Sequence, residues 1–295
     1  MNGHTAVQQS KARASLLTSM LIFGTIGIFV RYIPLPSAVI AFARGIIGMT
    51  FLLAVMLLKG KKLSVESIKK NFVKLIFSGT FLGVNWILLF EAYRYTTVAA
   101  ATLCYYMAPI IMVVVSPLLF GERLTVKKLA CVAASLVGMV LVSGILQVGV
   151  SDAGEFRGII LGLSAAVFYA SVVILNKFTS DIPANDKTVV QLGISALVLV
   201  PYLMFAAGDI QTDVTVLVAV MLLITGIVHT GVAYMLYFGS INVLKTQTVA
   251  IMSYIDPISA IILSAVFLGE TLSVQGIVGA VLVLGAAFVS EMPEK

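Results

Sequence analysis

Residues Tyr106 to Thr125 read YMAPIIMVVVSPLLFGERLT, and residues Tyr254 to Ser273 read YIDPISAIILSAVFLGETLS. The two stretches begin with Tyr-x-x-Pro and end with Gly-Glu-x-Leu. They align without a gap at an offset of 148 residues, half of the 295-residue chain. Internal self-similarity is the sequence signature of a duplicated architecture. The sequence therefore predicts a protein built from two copies of one unit.

The composition indicates whether this protein folds in water or in a lipid membrane. The chain is 60% hydrophobic and 11% charged, whereas a soluble domain is about a quarter charged. Its apolar runs are about 20 residues long, enough for a helix to cross a ~30 Å hydrocarbon core, and they lack the alternation of a membrane β-barrel. We therefore predict an all-α integral membrane protein.

The apolar runs predict ten transmembrane helices. Pro34 and Pro36 separate the first two. The first run is too long for a cleaved signal peptide and lacks a small-x-small cleavage site, so we expect it to be a retained span. The predicted spans are roughly 14–33, 37–58, 72–93, 97–120, 126–146, 158–178, 187–207, 214–238, 245–268 and 273–290.

The basic residues orient these helices. With the N-terminus in the cytoplasm, the inward-facing segments carry fifteen Lys and Arg residues and the outward loops carry three. The positive-inside rule therefore predicts that both termini are cytoplasmic. The net charge of +6 is explained by this topology, and no nucleic-acid partner is expected. Cys104 and Cys131 lie in apolar runs, which predicts small buried thiols and no disulfide or metal site.

Five spans in each half require the second half to be inverted relative to the first. The basic residues Arg123, Lys127 and Lys128 follow the first Gly-Glu turn and are absent after the second, as expected if the two turns face opposite sides. Inverted repeats are typical of secondary transporters, in which one half rocks against the other around a site at mid-membrane. The predicted organisation is a cytoplasmic tail (1–13), a first five-helix repeat (14–146), an external linker (147–157), a second, inverted five-helix repeat (158–290) and a cytoplasmic tail (291–295).

A duplicated ten-span chain with a mid-helix proline and a Gly-Glu-x-Leu-Thr/Ser turn resembles the EamA-type members of the drug/metabolite transporter superfamily. The resemblance extends from about Leu16 to Ser290. It implies a secondary transporter of the cytoplasmic membrane, of a kind that often exports amino acids or other small metabolites. The family pattern places a glycine nine residues after the turn glutamate. Gly279 fits this pattern and Cys131 departs from it, so the two halves are expected to pack differently.

Asp256 is the most informative single residue, because it lies at the centre of the ninth span directly before Pro257. Ionisable groups inside membranes are costly and are functional candidates by default. The repeat does not require an acid here, since Ala108 occupies the matching position. Asp256 is either a proton-coupling or cation-binding carboxylate, or a structural acceptor for backbone released by the proline.

Pro109 and Pro257 lie at the centres of their spans. Each removes an amide donor and releases the carbonyl four residues before it, that of Tyr105 or Ser253. Such carbonyls must be satisfied by protein or by a water-filled cavity. The prolines predict two bent helices that line a site and act as hinges, or two tolerated kinks.

Aromatic residues surround these bends. Tyr105, Tyr106 and Tyr254 lie within one turn of them, and Trp86 lies on the third span. The four side chains are candidates for an aromatic cage that binds a cation or an aromatic solute. The alternative is that each of them serves packing.

Three further ionisable residues lie within spans. Arg44 and Glu91 are placed toward the outer face, where they are expected to form an ion pair and an outer gate; alternatively, Arg44 binds a substrate carboxylate. His229 is either a residue that titrates near neutrality or a packed hydrogen-bond donor. Glu122 and Glu270 lie at helix ends and are interpreted mainly as turn and capping residues.

The functional prediction is a secondary active exporter of small organic metabolites, such as amino acids or related amines and drugs, driven either by protons or by the gradient of the solute itself. The alternative is a facilitative uniporter or an importer. The sequence has no nucleophile–base constellation, metal-ligand spacing or P-loop, so no enzyme activity and no cofactor are predicted. The expected partners are a small-molecule substrate and membrane lipids, with the protein a monomer or a homodimer in the cytoplasmic membrane.

Overall fold

The computed structural model describes residues 5–30, 32–96, 98–143, 153–206, 214–268 and 274–292. All regular secondary structure in these ranges is helical. The elements are α1 (Ala6–Val30), α2 (Ser37–Leu58), α3 (Val65–Lys70), α4 (Phe72–Tyr95), α5 (Val98–Tyr105), α6 (Ala108–Phe120), α7 (Val126–Ser143), α8 (Ala153–Lys177), α9 (Ala184–Ala206), α10 (Val216–Gly226), a π-turn (Ile227–Val232), α11 (Ala233–Ile241), α12 (Thr246–Met252), α13 (Ile255–Leu268) and α14 (Val274–Glu291).

Six stretches of helix are long and apolar enough to cross a membrane, and they coincide with six of the ten expected spans. Two shorter apolar helices, Ala108–Phe120 and Val274–Ser290, lie within two further expected spans. Large apolar side chains point outward, with Leu58, Leu118 and Val126 each more than four-fifths exposed. This outer surface suits a lipid solvent and identifies a multi-pass membrane protein.

The structure interrupts the two spans that carry the repeated stretch. The fourth expected span ends at Tyr105 and restarts at Ala108, and the ninth ends at Met252 and restarts at Ile255. Pro109 and Pro257 lie in the first turn of the restarted helices, where a missing amide donor costs no helical hydrogen bond. Each of these spans is therefore two short helices joined by a turn.

Two other departures from the sequence analysis concern single elements. A short helix, α3, occupies the segment between the second and third spans, where a loop was expected. The eighth span contains the π-turn at its centre, between α10 and α11. The second Gly-Glu turn, Gly269–Glu270, and Arg31 lie outside the described residues.

The helices pack into two groups, each drawn from both halves of the sequence. Bundle A contains α4, α5, α6 and α8. Bundle B contains α1, α10, the π-turn, α11 and α13; α12 belongs to the same span as α13 and packs most extensively on α6 of bundle A. The helices α2 and α9 pack against each other and against both bundles, and α7 packs against α14.

Glycines allow the closest of these approaches. A Cβ atom at Gly83 on α4 would lie 2.9 Å from the carbonyl oxygen of Ser195 on α9. A Cβ atom at Gly138 on α7 would lie 2.7 Å from the carbonyl oxygen of Gly279 on α14. Close backbone contact of this kind drives helix association in lipid, where the hydrophobic effect between helices is absent.

Candidate functional site

The two copies of the repeated stretch meet at their broken ends. The Tyr254 hydroxyl donates a 3.0 Å hydrogen bond to the backbone carbonyl of Tyr106, and the two rings lie 6.4 Å apart. The Tyr106 hydroxyl in turn donates to Asp256 Oδ2 over 3.4 Å. The repeat-related tyrosines thus join bundle A to bundle B, and one of them satisfies a carbonyl that the helix break exposes.

A small cavity of about 40 Å³ lies between the bundles at this junction. A water molecule occupies roughly 30 Å³ of liquid, so the cavity has room for about one water and is too small for an organic solute. The site is therefore closed in this structure. The cavity is lined by Met20, Phe23, Tyr105, Tyr106, Ala108, Pro109, Tyr169, Ser253 and Asp256.

Asp256 faces the cavity from the first turn of α13. Its side chain accepts the hydrogen bond from Tyr106, and no Lys, Arg or His among the described residues forms an ion pair with it. The matching position in the other broken helix, Ala108, lines the same cavity. The two repeat-related positions therefore present a carboxylate and a methyl group to the same cavity.

Aromatic side chains extend from the cavity into both bundles. Tyr105 packs on Tyr106 and on Tyr169, at centroid distances of 5.8 and 5.4 Å. Tyr169 stacks on Tyr237 at 6.4 Å. The Tyr237 hydroxyl is buried close to Tyr169 and Ser253, so this cluster carries a polar group away from the cavity into bundle B.

Trp86 is connected to the cavity through a residue that the sequence analysis did not select. Its ring contacts Tyr234 at 6.3 Å, and Tyr234 contacts the cavity residue Phe23 at 5.2 Å. Tyr234 is the repeat partner of Trp86, 148 residues away, so the internal alignment was the signal that pointed to it. Tyr169 and Tyr237 have no comparable signal.

Arg44 does not pair with Glu91, contrary to expectation. Its Nε donates a 3.0 Å hydrogen bond to the Thr230 hydroxyl on the π-turn, and no carboxylate among the described residues pairs with it. Tyr234 lies within electrostatic range of both Arg44 and Asp256. One phenol side chain therefore lies near an unpaired cation and near an unpaired acid.

Glu91 is held near the C-terminal end of α4 instead. It forms a 3.0 Å ion pair with Arg94, one turn along the same helix, and accepts a hydrogen bond from the Tyr202 hydroxyl. Arg94 is largely exposed, and an exposed pair of this kind contributes little to stability. The outer gate proposed for Arg44 and Glu91 is therefore not formed here.

His229 lies in the π-turn and away from the cavity. Its Nε2 is 2.8 Å from the Thr25 hydroxyl, its Nδ1 is 3.4 Å from the carbonyl of Ile224, and its ring packs on Phe29. The side chain is buried. Both ring nitrogens have protein partners, which is the arrangement of a packed hydrogen-bonding histidine.

The structure thus brings together five of the selected residues, Tyr105, Tyr106, Pro109, Tyr254 and Asp256. Pro257 lies next to them in the first turn of α13. An apolar bundle with a cavity that holds a carboxylate between two broken helices has the features of a membrane transporter.

Comparison with known proteins identifies the family. Residues 11–144 and 156–292 each match the EamA-like transporter family, so almost the whole chain consists of two matching segments. The chain belongs to this family. It is a membrane transporter and not an enzyme.

Relatives with the same organisation occur in distant microorganisms. The chain is 31% identical over 262 residues to the uncharacterized transporter YxxF of Bacillus subtilis (strain 168), covering 89% of this chain and 83% of the relative. It is 27% identical to an uncharacterized transporter of Archaeoglobus fulgidus, covering 94% and 95%. One crystal structure superposes with a TM-score of 0.83 at 19% identity, over 95% of this chain and 97% of the other. At that identity the likeness shows the fold alone.

Proposed function

We propose that this transporter is a secondary active exporter of small organic solutes, coupled to protons through Asp256. The observation that carries the proposal is the Asp256 carboxylate, which faces a closed cavity between two broken helices with the Tyr106 hydroxyl as its one described partner. The proposed topology is ten spans in two inverted five-helix repeats, with both termini in the cytoplasm and the protein in the cytoplasmic membrane.

The packing of the helices supports the repeat. The first span, α1, packs on the eighth and ninth, and the sixth span, α8, packs on the third and fourth. Spans one and six, three and eight, and four and nine are repeat partners, so replacing each span by its partner turns the first set of contacts into the second. The pairs α2 with α9 and α7 with α14 are unchanged by the same exchange. Because each bundle takes helices from both halves, we propose that the bodies that rock are bundles A and B rather than the two sequence halves.

Proton coupling follows from the cost of a bare carboxylate in the membrane interior. A charge there is stable only with a cation, hydrogen bonds or water. Asp256 has one long hydrogen bond in the closed state, and a bound proton removes its charge. We propose that Asp256 takes a proton when the site opens outward, carries it through the closed state and releases it inward when solute binds.

The solute class follows from the two unpaired charges near Tyr234. Arg44 has the Thr230 hydroxyl as its one described side-chain hydrogen-bond partner, and a guanidinium is suited to a substrate carboxylate. Ionised Asp256 and the surrounding tyrosines are suited to an ammonium group. The arrangement favours a small zwitterion, an amino acid or a related amine, once the bundles separate enough to admit it.

The test is solute flux in proteoliposomes with an imposed pH gradient. The wild-type protein is expected to move labelled amino acids faster when the imposed pH gradient drives protons in the direction opposite to the amino acids. Asp256→Asn is expected to lose this stimulation while still exchanging labelled for unlabelled solute. Asp181→Asn, an exposed carboxylate at the end of α8, is the matched control. Asp256→Asn flux that still follows the pH gradient would exclude the coupling role.

The alternative is facilitative transport or uptake. It predicts solute flux that is indifferent to the pH gradient in the wild type, or flux that is stimulated in the opposite direction. The same experiment separates these outcomes, because the orientation of the gradient is set by the experimenter.

A further inference from the structure

The buried residue Glu122 forms a cluster of contacts at the cytoplasmic-side end of the fourth span. Its Oε1 accepts from the backbone amide of Thr246 at 2.7 Å, and its Oε2 accepts from that of Gln247 at 3.1 Å. Gly121, in the left-handed conformation (φ 62°), ends α6 and turns the chain at this point. Glu122 therefore caps α12, the first part of the other broken span, rather than its own helix.

Lys177, at the end of α8, completes the cluster. Its ammonium lies 2.9 Å from Glu122 Oε1, and it donates 2.9 Å hydrogen bonds to the carbonyl of Leu244 and to the Thr246 hydroxyl. Nearby, the Gln247 side chain donates to the Ser116 hydroxyl at 2.9 Å. We call Ser116, Glu122, Lys177, Thr246 and Gln247 the cytoplasmic clasp.

The charges of the clasp are well satisfied. Burial of the Glu122 carboxyl favours the neutral acid, but the Lys177 ammonium and two backbone amides outweigh it and hold the pKa of Glu122 below its ordinary value. The Glu122 side chain is 2% exposed and that of Lys177 is 17% exposed. Glu122 is therefore an ionised group inside the protein.

The clasp residues are divided between the two bundles, and this division determines which contacts are lost when the bundles separate. Glu122, Lys177 and Ser116 belong to bundle A or to the turn that follows it, whereas Thr246 and Gln247 begin α12, which packs on α6 and continues the chain into α13 of bundle B. The ion pair lies within one bundle. The five hydrogen bonds to α12, its side chains and the preceding carbonyl lie between the bundles.

Separation at this end thus leaves no buried charge unpaired, since the Glu122–Lys177 pair stays together. It exchanges hydrogen bonds between the bundles for hydrogen bonds to water, and the net cost of such an exchange is modest for each bond. These hydrogen bonds can therefore hold the two bundles together at this end and can also break at a small cost in free energy. A permanent contact between the bundles would not need both charged residues to belong to the same bundle.

We propose that the cytoplasmic clasp is the inner gate of the transporter: its hydrogen bonds to α12 form when the cytoplasmic side closes and break to admit solute from the cytoplasm. The proposal rests on the proposed alternating access. It adds the residues that control the inner opening and assigns Glu122 and Lys177 a role as a preformed unit rather than as a substrate site.

The experiment measures access to a thiol placed within the clasp and needs no knowledge of the solute. Ser116→Cys, in a background with Cys104→Ala and Cys131→Ala, is labelled by a membrane-impermeant maleimide in inside-out vesicles. Ser116 is 1% exposed, so labelling reports opening of the gate. Failure to find a transported solute would therefore leave this test intact.

Two variants weaken the gate by different amounts. Thr246→Val removes one hydrogen bond between the bundles and leaves the ion pair in place; it is expected to raise the labelling rate roughly fivefold, the factor for about 1 kcal/mol. Glu122→Gln weakens both amide contacts and the hold on Lys177, and is expected to raise the rate roughly tenfold or more. Asp181→Asn, which weakens the contacts of the half-exposed Asp181 carboxylate to Asn71 and Lys70, is the control and is expected to have no effect.

Native Cys131, which is 5% exposed on α7 and outside both bundles, reports general loosening in a background with Cys104→Ala. Labelling that rises at Ser116→Cys and not at Cys131 supports the gate. Equal rises at both positions, or no rise at Ser116→Cys in a folded Thr246→Val protein, would overturn it.

Discussion

Tyr254→Phe tests the junction of the two broken helices with the removal of one oxygen atom. The Tyr254 side chain is fully buried, and its hydroxyl donates to the Tyr106 carbonyl at 3.0 Å. A neutral hydrogen bond contributes about 1 kcal/mol net, and a buried acceptor left unpaired raises the loss to as much as about 3 kcal/mol. For a chain of this size each 1 kcal/mol lowers Tm by about 2 to 4 °C. We therefore expect Tm to fall by roughly 2 to 12 °C.

The assay is a thermal unfolding curve of the purified protein, in which the fraction that remains monodisperse is measured after heating to each temperature. Tyr32→Phe is the matched control, because Tyr32 is half-exposed and its hydroxyl is expected to contribute little. If Tyr254→Phe melts at the same temperature as Tyr32→Phe, the junction does not hold the two broken helices together, and the reasoning from the released carbonyl is wrong.

Two further predictions follow from other contacts. Gly138→Ala is expected to lower Tm by several degrees because the added methyl group would meet the carbonyl of Gly279 at 2.7 Å; Gly27→Ala, which meets nothing within 4 Å, serves as the control, and equal Tm values would refute the close approach. The pH dependence of the clasp follows from the lowered pKa of Glu122: its contribution is fully present above the ordinary glutamate value and is lost as pH falls through the lowered one. Because only the thiolate reacts with a maleimide, the labelling rate at Ser116→Cys is divided by the rate for the unfolded protein at the same pH. This ratio should stay constant between about pH 5 and 8 and rise only below that range; a rise near pH 6 would contradict the assignment.

The helices of this protein were largely predictable, because the length and apolarity of a span are set by the bilayer alone. Pro109 and Pro257 indicated where these spans depart from a straight helix, but bent helices or kinks were predicted rather than two separate helices. A proline alone does not decide this, because Pro117 lies inside α6 without ending it. The π-turn was not predictable, because it depends on packing: Gly48 of α2 lies so close that an added Cβ would be 3.0 Å from the carbonyl of Gly226 and the amide of Gly231.

Pairing of side chains was less predictable than the helices that carry them. Arg44 and Glu91 were placed at similar depth, but depth does not give the direction in which a side chain points around its helix. Glu91 forms an ion pair with Arg94, three residues along the same helix, and this spacing favours side-chain pairing. Glu122 was expected to serve its own turn, and its cap on α12 required the fold.

Only part of the candidate site was predictable, because some of its residues are brought together by helix packing and not by the repeat. The internal alignment led to Tyr106, Tyr254 and Asp256, which the structure brings together. Tyr169 joins them from a helix whose sequence carries no repeat signal at that position, and only the packing of α8 on α5 places it at the cavity.

The most direct test of the account is the movement of protons that a solute gradient drives. Proteoliposomes with an entrapped pH dye are given an amino-acid gradient and no pH gradient. The account predicts that the wild-type protein changes the internal pH in the direction opposite to solute movement and that Asp256→Asn produces no pH change while it still exchanges solute. Proton movement that is equal in the two proteins would contradict the claim that Asp256 couples transport to protons.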